Sequence, residues 1–444
     1  MSAHAIIRTM ATETGLSEVF PLDSRVNERG RLEIGGCDTI ELSREFGTPA
    51  YVVAEDDLRA RARAFLAAGH DAGHSDLHVL FASKAFPCTA VLALFAREGL
   101  WCDVASGGEL ALALSAGFAP ERLVLHGNAK SEAELSMALE RRVGLIVLDN
   151  FDEIDRLERL LGDRTGPRQV RSASDEDAQE VLIRVTPDVR GETHEKISTG
   201  QADSKFGFSI ARVQEAIERV RGVAGLSLQG LHAHIGSQLL ELDPFRTAIA
   251  ELAKLGDFPV WDVGGGLGVR YTAEQPAPPS IEDYVGAIVR AAHAQDGGER
   301  KRLLIEPGRA LCANAGVTLY TVESVKQNVS RWVGVDGGMS DNLRPMLYGA
   351  RYEAHVADRR DGEMRCELVG KHCESGDVIV REALLDDPRP GDVIVTPATG
   401  AYGYAMANNY NGVPRPPVIF CRDGDARVVV RRESFDDLIA RDVG

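Results

Sequence analysis

The chain has 444 residues, of which 44% are hydrophobic and 26% are charged, a composition typical of a folded globular protein. Lys and Arg number 50 against 67 for Asp and Glu, giving a formal charge of −17. So acidic a protein repels the phosphates of nucleic acid, which excludes that class of partner. We also expect no signal peptide and no membrane span. The seven Cys residues form no CxxC pair, which favours a reduced, cytoplasmic chain without disulfides or a bound metal.

The first predicted elements come before a long periodic region. Residues 1–47 hold one strand–turn pattern, GRLEIGG (30–36), and we expect this segment to join a β domain formed by the C-terminal part of the chain. From about residue 78, short apolar runs alternate with amphipathic stretches of helical period. The runs are HVLFASKA (78–85), WCDVAS (101–106), RLVLHG (122–127), GLIVLD (144–149), VLIRVT (181–186), LQGLHAHIG (228–236), VWDVGGG (260–266) and RLLIEPG (302–308). Eight strand–helix units in about 250 residues predict a TIM-type (β/α)8 barrel, which we assign to residues 48–314.

After Pro307 the pattern changes to alternating apolar and polar residues. Runs such as GVTLYTVESVKQ (316–327) and ARVVVRR (426–432), bounded by Gly, Pro and Asp, predict a C-terminal antiparallel β domain over residues 315–444. The polar stretch 164–180 is interpreted as a surface insertion in the barrel.

Polar residues follow the predicted barrel strands at one end. Lys84, Asp103, His126, Asp149 and Glu306 all occupy such positions, where barrel enzymes carry their active sites. Three glycines (264–266) follow the seventh strand, where backbone amides can approach an anion. His234, predicted on the sixth strand, and Ser237 could complete a phosphate site. A Lys, a flat imidazole and a carboxylate near a phosphate site suggest pyridoxal phosphate.

Several motifs, in one consistent order, resemble the diaminopimelate decarboxylases, which are fold-type III pyridoxal phosphate enzymes of the alanine racemase-like group. They are FASKA (81–85), CDVASGGEL (102–110), HGNAKS (126–131), GLHAHIGSQ (230–238), DVGGGLG (262–268), EPGRA (306–310), VDGGMSDNLRP (335–345), GKHCESGD (370–377) and ATGAYGYAMANNYN (398–411). The resemblance implies decarboxylation of meso-2,6-diaminopimelate to L-lysine and carbon dioxide, the last step of lysine biosynthesis.

The resemblance also implies cofactor roles for particular residues. Lys84 would bind pyridoxal 5'-phosphate covalently, His234 would stack on its ring, and Glu306 would face the pyridine nitrogen. The residues implied at the cofactor as a whole are Lys84, Asp103, His234, Ser237, Gly264, Gly265, Gly266, Glu306, Pro307, Gly308, Arg309 and Tyr402. A carboxylate at the pyridine nitrogen keeps it protonated and favours decarboxylation over racemisation.

Substrate roles follow from the same resemblance. Arg309, Arg344 and Tyr348 would bind the distal end of the amino-acid substrate, and Tyr402 would contact both cofactor and substrate. Glu374 would bind the distal ammonium, while Cys373 would be the proton donor. The resemblance further implies a homodimer in which the cysteine loop of one chain completes the site of the other.

Three alternatives stay open on the sequence. One is a sister decarboxylase that acts on a carrier-bound amino acid or a polyamine precursor; the others are a racemase, which Glu306 disfavours, and a non-catalytic cofactor-carrying barrel. Arg344 separates the first from a diaminopimelate enzyme, because a substrate without a distal carboxylate needs no guanidinium there. The sequence departs from the family pattern at Phe81, often a tyrosine, and at Ala129, often an asparagine.

Overall fold

The structure of the protein, a computed structural model, describes residues 16–164, 178–187, 204–360 and 362–444. These residues form two compact units. One combines parts of residues 1–61, 269–277 and 309–444, and the other comprises parts of 62–268 and 278–308. Most of the predicted insertion, residues 165–177, lies outside the described residues, as does the first part of the chain. The predicted domain boundaries at 47/48 and 314/315 stay predictions. Among the described helices, none has the length and apolarity needed to cross a bilayer.

The N-terminal segment contributes four short strands to the first unit, which we call the β unit. The elements are β1 (Arg25–Val26), β2 (Leu32–Ile34), β3 (Cys37–Asp38), helix α1 (Thr39–Phe46) and β4 (Ala50–Ala54). Strands β1–β3 form a separate three-stranded antiparallel sheet, so the GRLEIGG strand does not pair with the C-terminal sheet as we expected. Its Leu32 and Ile34 nevertheless pack in one apolar core with Val52, Val317 and Ile419. The segment thus joins the β unit through this core and through backbone hydrogen bonds, such as that from the Leu32 amide to the Ala357 oxygen at 2.8 Å.

The second unit, which we call the barrel unit, is the predicted parallel barrel. Its strands are β5 (Leu77–Ala82), β6 (Trp101–Val104), β7 (Leu123–Leu125), β8 (Leu145–Leu148), β9 (Gln179–Thr186), β11 (Leu226–Ala233), β12 (Val260–Asp262) and β13 (Arg302–Ile305), with a short added strand β10 (Phe208–Ser209) beside β9. Every neighbouring pair is parallel, and the pairings of β8 with β9 and of β13 with β5 close the ring. The eight strands confirm the eight predicted runs.

Helices alternate with the barrel strands as the apolar period predicts, the first of them preceding β5. They are α2 (Glu55–Asp71), α3 (Thr89–Arg97), α4 (Gly107–Ser115), α5 (Glu132–Arg141), α6 (Phe151–Arg164), α7 (Ile210–Arg221), α8 (Asp243–Ala253) and α9 (Ile281–His293). Local chemistry fixes where they begin. At α5, the Ser131 side chain accepts from the Glu134 amide, and the Glu134 carboxylate accepts from the Ser131 amide, which satisfies two amides that lack helical partners. The barrel core is filled by Leu80, Val124, Leu145, Val147, Leu182, Val260 and Leu304.

The rest of the β unit is one large, mixed sheet. Its elements are α10 (Arg309–Cys312), β14 (Gly316–Gln327), β15 (Arg331–Val335), α11 (Arg344–Tyr348), β16 (His355–Val356), β17 (Met364–Val369), β18 (Val378–Leu385), β19 (Val393–Thr396), α12 (Gly403–Met406), β20 (Val418–Arg422), β21 (Asp425–Val430) and α13 (Phe435–Ile439). Most neighbours are antiparallel, as predicted, but β15 pairs parallel to β17 and β20 parallel to β4. The predicted antiparallel β domain is thus confirmed, with two parallel pairs that alternation alone does not reveal. The twelve-residue strand β14 pairs with β4, β15 and β19 and is the centre of the sheet.

Candidate active site

The polar residues predicted at the barrel strand ends do lie at those ends. Lys84 sits in a single helical turn (Ser83–Ala85) after β5, Asp103 is on β6, and Glu306 comes directly after β13. His234 lies one residue past the end of β11 rather than on the strand. Because all eight strands are parallel, these positions share the carboxyl end of the barrel.

Glu306 is the centre of a buried polar cluster in the barrel unit. Its Oε1 lies 2.7 Å from His126 Nε2, and its Oε2 lies 3.5 Å from His232 Nε2. Burial by itself would raise the pKa of Glu306, but the two imidazoles outweigh burial and lower it well below the usual range. Glu306 is therefore a carboxylate at neutral pH, held away from water with histidines on both oxygens.

Asp103 and His232 have pKa values that burial shifts in opposite directions. Burial raises the pKa of Asp103 to about 6, although His126 and Lys84 act against the shift. Burial lowers the pKa of His232 to about 4, so this imidazole is neutral at physiological pH. The Lys84 Nζ lies 3.9 Å from Asp103 Oδ2, which places the only predicted nucleophilic amine next to a carboxyl of the same cluster.

Several buried polar atoms of the cluster make no hydrogen bond of good geometry among the described residues, although His126 Nε2 and Glu306 Oε1 lie 2.7 Å apart. They are His126 Nε2, His232 Nδ1 and Nε2, Asp262 Oδ2 and Glu306 Oε1. The ligand atoms of His126, His232, Asp262 and Glu306 lie within 4.8 Å of one another, a donor set that also suits a transition metal. His126 Nε2 and Glu306 Oε1 are, however, only 2.7 Å apart, which is the distance of a direct contact between the two side chains. We therefore interpret the cluster as a network that holds the Glu306 carboxylate.

The glycine run forms a narrow backbone cradle next to His234. Gly264 and Gly266 have φ values of 67° and 121°, which side-chain-bearing residues rarely adopt. A Cβ on Gly264 would lie 2.7 Å from His234 Nδ1, and one on Gly266 would lie 2.7 Å from the Gly236 oxygen. The Gly265 amide donates to His234 Nδ1 at 3.2 Å, and the Glu306 amide donates to the Gly264 oxygen at 2.9 Å. Only glycine fits at these positions. The run is hydrogen-bonded both to His234, the residue predicted to stack on the cofactor ring, and to Glu306, the predicted carboxylate.

These features fit pyridoxal phosphate. A buried carboxylate with unsatisfied polar atoms around it suits a protonated pyridine nitrogen, and the glycine cradle suits a phosphate group. Half-buried His234 and Ser237 flank that cradle, and Pro307 and Gly308 follow Glu306. The barrel unit therefore brings together the predicted cofactor residues from Lys84 to Gly308.

The β unit contains a second cluster, built from arginines and tyrosines. The Arg344 guanidinium is only 6% exposed; its Nη1 donates to the Tyr352 hydroxyl, and its Cζ lies 4.4 Å from the centre of the Tyr271 ring. Arg309 Nη1 donates to the Tyr271 hydroxyl, and Arg309 Cζ lies 4.8 Å from the centre of the Tyr402 ring. Within the described residues, no carboxylate lies within ion-pair distance of Arg344, so a positive charge is buried there among aromatic rings.

The predicted Cys373 and Glu374 lie in a different part of the β unit, in the loop between β17 and β18. Cys373 is the one exposed thiol among the seven cysteines, all of which are described. Its amide donates to Asn411 Oδ1 at 2.9 Å, and Glu374 Oε1 accepts from the Gly376 amide at 3.3 Å. Asp377 fixes the loop by accepting from the amides of His372 and Met339. Tyr348 ends α11 and is half-buried.

The predicted set omitted several residues of both clusters. His126 follows a predicted strand but was given no role, and neither His232 nor Asp262 was predicted as a site residue, although both lie in the quoted motifs. Arg184 could have been found as a charge within the apolar run VLIRVT; its Cζ lies 4.4 Å from the Phe206 ring centre and its Nε 3.9 Å from Asp149 Oδ1. Tyr271 and Tyr352 carry no sequence signal, because their roles depend on contacts between distant segments.

Comparisons with known proteins agree with the geometry. Residues 56–313 match the family model described as pyridoxal-dependent decarboxylase, pyridoxal binding domain. The chain is 43% identical to the diaminopimelate decarboxylase of Bacillus subtilis, with 95% of this chain and 97% of that protein covered. It is 45% identical to the enzyme of the same name from Actinosynnema pretiosum, over 98% and 96% of the two chains. The crystal structure of diaminopimelate decarboxylase from M. jannaschii in complex with L-lysine superimposes with a TM-score of 0.87, at 31% identity over 95% and 98% of the chains.

Proposed function

The chain belongs to the family of the diaminopimelate decarboxylases, and on that premise we propose that it converts meso-2,6-diaminopimelate to L-lysine and carbon dioxide with bound pyridoxal 5'-phosphate. The observation that carries the substrate assignment is the buried Arg344 guanidinium, whose contacts are to tyrosines. A buried positive charge is costly unless an anion accompanies it. The distal carboxylate of diaminopimelate is such an anion, and ornithine and other precursors of simple diamines lack it.

The barrel unit supplies the groups that hold the cofactor in this proposal. Lys84 would form the covalent bond, and the backbone of Gly264–Gly266, Pro307 and Gly308, together with Ser237, would bind the phosphate, with Arg309 of the β unit next in the chain. The His234 imidazole, whose Nδ1 accepts from the Gly265 amide, would stack on the ring. When bound, pyridoxal phosphate supplies an electron sink for the pair released as the carboxylate leaves.

Glu306 sets how strong that sink is. Because His126 and His232 lower its pKa, Glu306 stays ionised, and a carboxylate next to the pyridine nitrogen would favour the protonated form of that nitrogen. His232 is itself neutral, so its contact with Glu306 does not neutralise the carboxylate. An ionised partner at this atom favours decarboxylation and disfavours the racemase alternative.

The β unit supplies the substrate and proton-transfer groups. Arg309, Arg344, Tyr348 and Tyr402 bind the distal end, Glu374 binds its ammonium, and the Cys373 thiol returns a proton to Cα. We further propose that two chains form a homodimer in which Cys373 and Glu374 of one act in the site of the other. A cytoplasmic location with reduced cysteines stays part of this proposal.

The test is an assay of purified protein with pyridoxal phosphate and each candidate substrate. We expect L-lysine and an equal amount of carbon dioxide from meso-diaminopimelate, and little product from ornithine or from L-lysine itself. The Lys84→Ala protein is the control for cofactor-independent release. Ornithine turning over faster than diaminopimelate would assign the protein to the sister decarboxylases instead.

A further inference from the structure

Tyr271 contacts both arginines of the β unit through different parts of its side chain. Its hydroxyl oxygen accepts a hydrogen bond from Arg309 Nη1, while its ring carries the Arg344 guanidinium, with Cζ 4.4 Å from the ring centre. Arg309 Cζ is 5.8 Å from the same centre. One buried tyrosine therefore lies between two buried positive charges.

The backbone around Tyr271 is fixed independently of the arginines. The Gln275 side chain accepts from the Tyr271 amide at 2.8 Å, and the Gln275 amide returns a bond to the Thr272 oxygen at 3.1 Å. The Asn314 side chain donates to the Arg270 oxygen at 2.9 Å. The Tyr352 ring meets the Tyr271 ring edge-on, with centroids 5.3 Å apart at 77°. The Tyr271 backbone and ring thus have contacts of their own besides those with the two arginines.

A tyrosine in this place holds a guanidinium without neutralising it. The face of the ring attracts the cation, but it carries no formal charge, in contrast to an Asp or Glu partner. Arg344 therefore keeps its full positive charge and the geometry needed for a bidentate contact with a carboxylate. A Glu in place of Tyr271 would form an internal ion pair and leave nothing for a ligand.

We propose that Tyr271 is the positioning residue that sets the preference of this site for a substrate whose distal end carries a carboxylate. The inference rests on the proposed function, since it assumes that Arg344 binds that carboxylate. Tyr271 acts through Arg344. The Tyr271 ring fixes the plane of the Arg344 guanidinium, and loss of this ring lets the guanidinium move. Binding of the distal end weakens, while the groups at the reacting carbon stay in place.

The experiment is a double-mutant cycle on the holoenzyme with meso-diaminopimelate. We expect Tyr271→Leu to raise KM roughly tenfold, the size of a buried cation–π contact, with kcat changed by less than about threefold. Arg344→Leu raises KM at least as much, and adding Tyr271→Leu to it raises KM no further than Tyr271→Phe does alone, because only the hydroxyl contact with Arg309 is then still to be lost. Tyr271→Phe keeps the ring and raises KM less than Tyr271→Leu does.

Controls separate positioning from general destabilisation. Arg432→Leu removes a half-buried arginine of the same unit that donates to the Phe46 and Pro49 oxygens, so it lowers Tm without changing KM. Visible absorbance of the bound cofactor checks each variant, and Tyr271→Met replaces the Leu variant if that protein is not recovered, because a flexible apolar chain fills the space.

Three results would overturn the inference: an unchanged KM in Tyr271→Leu, a loss confined to kcat, or additive effects of the two substitutions. A wild-type protein that does not decarboxylate diaminopimelate would instead refute the proposed function. A working wild type and an impaired Arg344→Leu, with an unaffected Tyr271→Leu, would refute only the role of Tyr271.

Discussion

Two lysines of the barrel unit show how surroundings select the reactive amine. The Lys130 ammonium is 2% exposed and held by the Gly127 and Val147 oxygens and by Glu153, at 2.6, 2.7 and 2.8 Å. An amine with three acceptors has neither the freedom nor the free electron pair to attack an aldehyde. The Lys84 side chain, in contrast, is 47% exposed, and its Nζ lies 3.9 Å from Asp103 Oδ2. An aldehyde can therefore reach Lys84 from solvent, whereas Lys130 is buried.

We predict that borohydride reduction of the holoprotein fixes one cofactor per chain on Lys84. Peptide mapping after digestion locates the label, and Lys84→Ala protein treated in the same way stays unlabelled. A label on Lys130 or Lys205 would contradict the assignment of the cofactor-binding residue.

A second prediction at this scale concerns Asp341, whose Oδ1 accepts from the Tyr320 hydroxyl and whose Oδ2 accepts from the Gly338 amide. Burial raises its pKa from 3.8 to about 7. The unfolded chain therefore loses this proton first, and between about pH 4 and pH 7 the wild-type protein loses stability as pH rises. Asp341→Asn does not titrate at this position, so the Tm of the variant minus that of wild type should become more positive between about pH 4 and pH 7. A difference that is constant over this range would show that Asp341 is ionised when folded.

At the scale of whole elements, the glycine run (264–266) connects the end of β12 to the end of β13, because the Glu306 amide donates to the Gly264 oxygen. A methyl group built on Gly265 overlaps the Glu306 carbonyl oxygen, a backbone atom that cannot move alone. We predict that Gly265→Ala weakens cofactor binding and destabilises the protein by about 1–3 kcal/mol. Gly162→Ala is the matched control, because a Cβ at that position in helix α6 meets open space. It should stabilise by up to about 1 kcal/mol. Equal effects of the two substitutions on cofactor affinity, measured by titration of the apoprotein, would contradict the cradle.

The elements also show where sequence reasoning succeeds and where it stops. Buried parallel strands are short runs of Val, Ile and Leu at regular spacing, so all eight barrel strands and the polar residues at their ends were predictable. Alternation in the β unit predicts that strands exist, but not which neighbour each one pairs with. It therefore missed the parallel pair β15–β17 and the separate sheet of β1–β3. Tyr271 and Tyr352 were missed for a related reason: they act on Arg344 across segments that no local pattern connects.

For the whole molecule, the proposed shared site makes a prediction about mixed assemblies. Lys84→Ala and Cys373→Ala proteins should each be nearly inactive. In a heterodimer of the two, one site carries both defects and the other carries neither. Random exchange makes about half of the dimers mixed, so roughly a quarter of wild-type activity should return. Subunit exchange is verified by mass spectrometry with one isotopically labelled partner. A mixture that exchanges and stays inactive would show that each site is built within one chain.

The distribution of the cysteines gives the protein a built-in reporter of its own association. Six thiols are buried and Cys373 alone is exposed, so a thiol reagent should label one position per folded chain without any engineering. If Cys373 enters a partner's site, the labelling rate falls as protein concentration rises, and the midpoint of that fall measures the dissociation constant of the dimer. Added substrate should slow labelling further by covering the same sulfur. A rate that does not vary across the concentrations where sedimentation shows dimers forming would place Cys373 outside the interface.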